Sequence, residues 1–527
     1  MTRRTAGLAG AAAAIAVVTV VARVAGFGRT LVFARTVGFD CLGSVYQTAN
    51  TVPNIVFEVV AGGALAALVV PLIAGAVADG DKDQVSRTGS ALLTWAVTLL
   101  IPAGLLVFVL ARPIVSALVG SPPTGCARSD VLAVGTRMLQ VFAVQVPLYG
   151  IGLVLAGIAQ SHRRFLGPAL APLLSSLVVI TTYLAYAVHG RPRSLDKLDP
   201  TGERLLSVGT TLGVVVLSLS LLVPLRGTGV RLRPRWTFDD GLAARARGLA
   251  GAGLATLLAQ QVAVAVGLRL ANDRGPEGAV ALFALASTVF LLPWAVLAVP
   301  LATSAFPRAA AAHSAGQPSE WARISAVTAR AVVVVCAGSA AVLVAAADPV
   351  ARLVAQGAPG RADVPVLAGA IALLAPGLLG YGLIAHLGRA LTARGDARGA
   401  ARGAVLGWAA VAVVDVGCVL VAPSRWVVVA LALGNSVGLL LGGAALVARA
   451  GDAVRSAVLG VLPRLLPATA LACGLGLVTA RLWQPRALAV NVVEAVLIGA
   501  VVGAAFVALL LALDGPRTRS MLAALRD

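Results

Sequence analysis

From its first residues to its end, the chain is a succession of apolar runs, each close to the roughly 20 residues that a helix needs to cross a bilayer. Glycine, proline and charge divide it into about fourteen such runs. They begin near residues 5, 42, 88, 130, 165 and 203, and again near 249, 277, 324, 364, 401, 425, 460 and 488. Over 527 residues the sequence is 59% hydrophobic and 12% charged, with a mean hydropathy of +0.93. Inside hydrocarbon every backbone donor and acceptor must be satisfied within the structure, and runs of this length satisfy them as helices. The expected fold is an all-α polytopic membrane protein. The first run is longer than a signal-peptide core and lacks a small-residue cleavage site, so it reads as the first span.

A formal charge of +20 invites a nucleic-acid reading. The charges lie in short loops between spans, and every basic residue but Lys82 and Lys197 is arginine, so no nucleic-acid partner is expected. The five cysteines form no CxxC pair and no Cys/His cluster, which argues against a metal. Cys336, Cys418 and Cys473 fall in apolar runs. Cys41 and Cys126 fall in loops on one predicted side, where a disulfide between them is one outcome. No Ser/His/Asp constellation, phosphate loop or paired-carboxylate motif stands out, and the four histidines are scattered. The expected class is a transporter without catalytic residues or cofactor.

The chain also looks duplicated. "QVPLYGIGLVLAGIAQ" (145–160) and "GLLGYGLIAHLGRALT" (377–392) share a Tyr-Gly at the same place in a run. "GALAALVVPLIAGA" (63–76) and "VPLATSAFPRAAAA" (299–312) are likewise similar, each with a proline, Pro71 or Pro307. Six spans per half start both halves on the same side of the membrane, giving a parallel repeat with a cavity expected between the halves. The predicted organisation is an N-terminal six-helix lobe (1–225), a basic connection (226–248), a second lobe (249–450) and two further helices (451–527). Arginine is more frequent in alternate loops, which places both termini in the cytoplasm of a plasma-membrane protein.

Two arginines interrupt the first run, in "ARVAGFGRT". A charge at the bilayer centre costs at least about 2.5 kcal/mol, so Arg23 and Arg29 need an offsetting partner or function. Six residues on a straight helix separate side chains by about 240°, on different faces. Gly26 and Gly28 permit a hinge that aims both into one cavity. Planar guanidinium forks suit phosphate oxygens; snorkelling or pairing with an acid is the structural alternative. The second run carries Pro53 in its middle, as a second hinge, with Asn50, Asn54 and Glu58 on one face. Glu58 is either a cavity group or a counter-ion for Arg23 or Arg29. Asp415 lies alone in a later run, and with Asn435 and Ser436 offers oxygen ligands for a coupling cation or a gating contact; a paired or protonated acid is the alternative.

At these residues the chain resembles the MurJ (MviN) family, flippases of lipid-linked peptidoglycan precursor within the multidrug/oligosaccharidyl-lipid/polysaccharide exporter superfamily. The matching stretches are "ARVAGFGRTLVFART", "ANTVPNIVFEVVAGGALAALVVP", "HRRFLGPALAPLLSSLVVI" and "FLLPWAVLAVPLATSAFPR", with a fainter one at "RALTARGDARGA". The form carrying Glu58 looks like the actinobacterial branch. The resemblance implies alternating access, driven by membrane potential or a cation gradient, on an undecaprenyl-diphosphate-linked glycopeptide. It implies Arg23 and Arg29 as diphosphate contacts, the last two helices as a groove for the lipid tail, and membrane lipid and cell-wall synthesis proteins as surroundings of a monomer. The chain departs from the family pattern at Ser44, Phe57, Thr288 and near Val266 and Gly267, where charged residues are expected. A flippase for another lipid-linked glycan, teichoic or capsular, and a non-transporting wall-synthesis scaffold remain as alternatives.

Overall fold

Helices are the only extended regular elements among the described residues. The computed structural model describes residues 2–123, 125–190, 195–238, 242–358, 363–482 and 488–526, with side chains outside 2–16, 61–68, 71, 242–252, 479–482, 488–489 and 514–526. It falls into two compact units, Met1–Gln261 and Val262–Asp527. The first contains α1 (Thr2–Thr36), α2 (Cys41–Phe57), α3 (Gly63–Ala78), α4 (Lys82–Val109), α5 (Ala111–Val119), α6 (Arg128–Phe142), α7 (Gln145–Ser161), α8 (Leu166–His189) and α9 (Pro200–Leu219). The next helix, α10 (Leu242–Arg274), runs through the unit boundary between Gln261 and Val262. The second unit continues with α11 (Ala279–Pro293), α12 (Val299–Ser314), α13 (Pro318–Ala355), α14 (Val364–Leu374), α15 (Gly377–Ala393), α16 (Ala397–Val421) and α17 (Val427–Ala450). It ends with α18 (Asp452–Leu459), α19 (Leu462–Leu482) and α20 (Leu488–Arg526). The last two pack on α13, so they belong to this unit's core.

Thirteen stretches among the described residues are long and apolar enough to cross a membrane. The remaining predicted run is α2 and α3, joined by a π-helical turn at Glu58–Gly62. Several of the scarce acidic residues start helices. Asp40, Asp81, Asp199, Asp363 and Asp396 accept hydrogen bonds from Gly43, Gln84, Gly202, Val366 and Gly399 N–H respectively. Each cap of this kind stabilises its helix by about 1 kcal/mol.

Helix irregularities repeat between the units. The offset that relates Pro71 to Pro307 carries the turn at Glu58–Gly62 onto a second π-helical turn at Trp294–Ala298, between α11 and α12. The offset that relates Tyr149 to Tyr381 carries the α6–α7 break, between Phe142 and Gln145, onto the α14–α15 break between Leu374 and Gly377. Pro53 itself leaves α2 intact; the helix loses its α register five residues later, at Glu58. The interruption expected at Pro53 therefore lies in the π turn.

The basic connection forms an extended strap along α4. Successive odd-numbered amides, Arg231, Arg233 and Arg235, donate to Ser86, Ser90 and Thr94 hydroxyls at 3.0, 3.0 and 2.9 Å. Two extended residues advance about 6.6 Å and four helical residues about 6.0 Å, so the two ladders run nearly in step. Val230, Leu232 and Phe238 pack against the α3–α4–α7 core, while Arg231 and Arg233 stay exposed. Trp95 Nε1 donates to the Trp236 carbonyl at 2.9 Å. At the strap's start, Arg164 Nη1 donates to the carbonyls of Pro224 and Arg226. Ser90 is 4% exposed, so Ser90→Ala strands the Arg233 amide at a cost of about 1–3 kcal/mol. Limited trypsinolysis followed by mass spectrometry is expected to show faster cleavage after Arg231 and Arg235 in this variant than in the parent.

Cys41 and Cys126 are joined as a disulfide that ties the start of α2 to the loop before α6. Cys336, Cys418 and Cys473 are free. Alkylation of the denatured, unreduced protein should label three cysteines, and reduction beforehand should raise the number to five. Five labels without reductant would exclude the crosslink.

Candidate functional site

In the first unit, α1 packs on α8 and runs as an unbroken α-helix through Gly26 and Gly28. The expected glycine hinge is absent. Thr30 Oγ1 donates to the Gly26 carbonyl at 3.2 Å, and the helical ladder passes this point intact. Arg23 and Arg29 therefore keep different faces. Arg23 is exposed, whereas Arg29 is half-buried and within electrostatic range of the hydroxyls of Tyr46 on α2, Tyr149 on α7 and Tyr183 on α8. Among the described residues, Arg23, Arg29 and Glu58 form no ion pair. Glu58 is thus not the counter-ion of either arginine in this conformation.

The surroundings of Arg29 are polar and aromatic. Tyr46 shares hydrogen bonds with Tyr183 at 2.8 Å and Thr210 at 2.7 Å, and packs edge-on against Phe142. Tyr149 stands against Phe57, with ring centroids 5.4 Å apart, and beside the Asn54 amide. Its hydroxyl donates to Gln145 Oε1 at 3.3 Å, and Gln145 Nε2 donates to Thr211 Oγ1 at 3.2 Å. This relay links the start of α7 to α9 beside the α6–α7 break. Asn50, on the same helix as Asn54, keeps a buried Oδ1 without a hydrogen bond. Asn50, Asn54 and Arg29 were legible as polar groups in apolar runs. Tyr149 and Gln145 were visible only as a repeat marker and a packing group, since nothing in one sequence shows which partner a side chain meets. Phe57 and Thr288, at positions where the family pattern expects arginine, are engaged with Tyr149 and with the Ala284 carbonyl.

The second unit separates Ser436 from Asp415, two of the three residues grouped as a cation site. Asp415 on α16 is 2% exposed, and its Oδ1 lacks a hydrogen-bond partner. It lies against Gly434 of α17, where a Cβ would collide with Oδ1, and near Gly267 of α10, whose Cβ would stand 3.8 Å from Oδ2. Ser436 points elsewhere. Its hydroxyl accepts from Gly377 N–H at 3.0 Å and contacts the Leu373 and Leu374 carbonyls, filling the α14–α15 break. Two residues on a helix are about 200° apart, so Gly434 and Ser436 serve opposite faces. Asn435 is half-buried. Ser436 therefore stands apart from the predicted trio, and Asp415 lies in a glycine-lined nest.

An apolar groove of about 530 Å³ also lies in this unit, lined by Val334, Gly338 and Val342 of α13, Phe506 and Leu510 of α20, and Pro293. It runs between α13 and α20, not between the last two helices. Elsewhere on the same two helices, Arg352 pairs with Asp348 at 2.6 Å and approaches Glu494 at 3.6 Å.

The duplicated breaks and this site can be set beside known proteins. The profile of the family described as lipid II flippase MurJ matches residues 33–498. This chain belongs to the MurJ family. Two probable lipid II flippases MurJ are similar to it. The one from Rhizobium tropici is 24% identical over 446 residues, covering 84% of this chain and 76% of its own. The one from Rhizobium meliloti (strain 1021) is 25% identical over 397 residues, covering 72% and 69%. Among solved structures, a MurJ lipid II flippase in an inward closed conformation aligns with a TM-score of 0.70 at 15% identity, covering 94% of this chain and 98% of that one. An inward-facing multidrug resistance MATE transporter of the MOP superfamily follows the same fold at 0.64, with 15% identity, over 86% and 98%. The family and fold are those of membrane transporters, not enzymes. The profile match starts after Arg29, so the two α1 arginines lie outside it.

Ser436 offers a check on the assignment of its role. Ser436→Ala should lower thermal stability by about 1–3 kcal/mol, because a buried amide and two carbonyls lose their shared partner. Any cation dependence of transport should be unchanged in that variant, as read by a proteoliposome flux assay at several salt concentrations.

Proposed function

We infer that this chain moves lipid II, a polyprenyl-diphosphate-linked peptidoglycan precursor, from the cytoplasmic to the outer leaflet by alternating access. The observation that carries the reading is the family profile, which spans nearly the whole chain. The site supports it in detail. Arg29 is a half-buried guanidinium without a carboxylate partner, set among tyrosine hydroxyls and the Asn54 amide, which is a suitable reception for phosphate oxygens. Arg23, exposed on another face of α1, would meet the diphosphate at a different stage of the passage. The groove between α13 and α20 offers a seat for an isoprenoid tail, being lined almost wholly by aliphatic and aromatic carbon.

Energy coupling and topology are proposed on separate grounds. A carboxylate as enclosed as Asp415 is costly unless it binds a cation or proton in part of the cycle. Gly267 brings no second acid to it, so a proton is better matched than sodium. An oxidising face suits the Cys41–Cys126 disulfide, which supports an orientation with the C-terminal end of α1 and the start of α6 outside and both termini in the cytoplasm.

Arg29→Ala is expected to abolish rescue of a strain depleted of its lipid II flippase, with protein level unchanged by immunoblot, and Arg23→Ala to weaken or abolish it. Full rescue by both would remove the phosphate-contact role. Failure of the parent chain to rescue, with loss of another surface polymer on deletion, would instead assign it a different lipid-linked glycan. Asp415→Asn should keep the fold and eliminate the response of transport to an imposed pH gradient.

A further inference from the structure

Away from Arg29 and the α13–α20 groove, the first unit holds a hollow of about 520 Å³ where the end of α4 meets α6 and α9. Its size falls within the roughly 300–1,000 Å³ usual for small-molecule sites. Its upper wall carries Arg137, Glu203 and Arg204; its lower wall carries Phe108, Val144 and Leu212. Arg137 is committed. Its Nε and Nη2 donate to the two Glu203 oxygens at 2.9 and 2.7 Å, so the pair is bidentate and close to neutral. Glu203 is 9% exposed, and both of its oxygens accept from Arg137. Arg204 is different: it is exposed and, among the described residues, has no carboxylate partner. It lies in the second turn of α9, close to the helix N-terminus. The amides of Thr201 and Gly202 at that end are already taken by Asp199, so the guanidinium is the available donor.

Below the arginines the surface turns apolar in register. Arg204, Val208 and Leu212 follow one another at four-residue intervals on one stripe of α9. Val208, Leu212, Val144 and Phe108 are 43%, 51%, 55% and 45% exposed, a surface that suits hydrocarbon and not water. A charged rim above a greasy wall fits an amphiphile whose anionic group meets Arg204 and whose chain descends along Val208 and Leu212. A free oxyanion would use only the rim, and a soluble cation would be repelled by it.

We propose that this hollow is a binding site for an anionic phospholipid, its phosphodiester on Arg204 and one acyl chain against Phe108, Val144 and Leu212. It lies at the same end of the first unit as the disulfide, because α6 and α9 both begin there. The site is separate from the α1 arginines and stands whether or not the transported glycan is lipid II.

The test uses the full-length protein in a neutral detergent, with native mass spectrometry of added phosphatidylglycerol, phosphatidylcholine or inorganic phosphate. Phosphatidylglycerol is expected to remain bound in preference to phosphatidylcholine. Arg204→Gln should weaken its binding about tenfold, a change equivalent to one charge-assisted contact. Leu212→Ser should weaken it as well, and millimolar phosphate should not displace the lipid. Both substitutions fall on exposed positions and leave the core intact, which a melting curve verifies. Equal retention of the two lipids, or unaltered binding in Arg204→Gln, overturns the proposal. Displacement by phosphate together with an inert Leu212→Ser would show an oxyanion seat with no lipid specificity, and overturns it too.

Discussion

Every deviation from regular helix in this protein must find partners for the backbone groups it frees, because hydrocarbon offers none. At the break between α14 and α15 the Ser436 hydroxyl meets that demand, taking the Gly377 amide and the Leu373 and Leu374 carbonyls. The π-helical turns at Glu58–Gly62 and Trp294–Ala298 solve the problem differently, keeping the ladder closed with a wider ring. Side chains that look like candidates for chemistry in the sequence are thus in part structural replacements for missing backbone partners. Ser436 is the plainest case.

What is left after that accounting is a short list of polar groups whose place in a membrane protein is not explained by structure. Arg29 and Asp415 are its main members. Arg29 sits where hydroxyls and an amide can share a bound phosphate, and Asp415 sits where two glycines make room for a carboxylate that no donor meets. The two belong to different units, as do the α1 helix and the apolar groove between α13 and α20. A flippase needs separate provision for a charged head, a greasy tail and an energy source. The proposed function assigns Arg29 to the head, the groove to the tail and Asp415 to the energy source.

The fold was largely readable from the order of apolar runs, and the duplication from Tyr149/Tyr381 and Pro71/Pro307. These signals survive because span length and helix breaks are set by the bilayer and by backbone chemistry, which leave marks in a single sequence. The site was less legible. Gly26 and Gly28 looked like a hinge because glycine permits one, but permission is not a bend, and α1 stays continuous. Asp415, Asn435 and Ser436 looked like one ligand set because they are near in the sequence of neighbouring spans. Helical phase sets Ser436 apart from Asp415, since Gly434 and Ser436 on α17 face different helices. The pairing of Arg137 with Glu203 and the tyrosines around Arg29 join residues far apart in the chain, which no local pattern records.

The strap along α4 carries a length constraint of its own. Its rungs gain about 0.6 Å on the helix at each step, a discrepancy small enough for three rungs and too large for many more. Adding or deleting a single residue between 231 and 235 would exchange the amides that face Ser86, Ser90 and Thr94 for those that face away, one of which is the proline nitrogen of Pro234. Variation in the size of this connection is therefore confined to its flanks, and the middle behaves as a fixed-pitch rack engaged with α4.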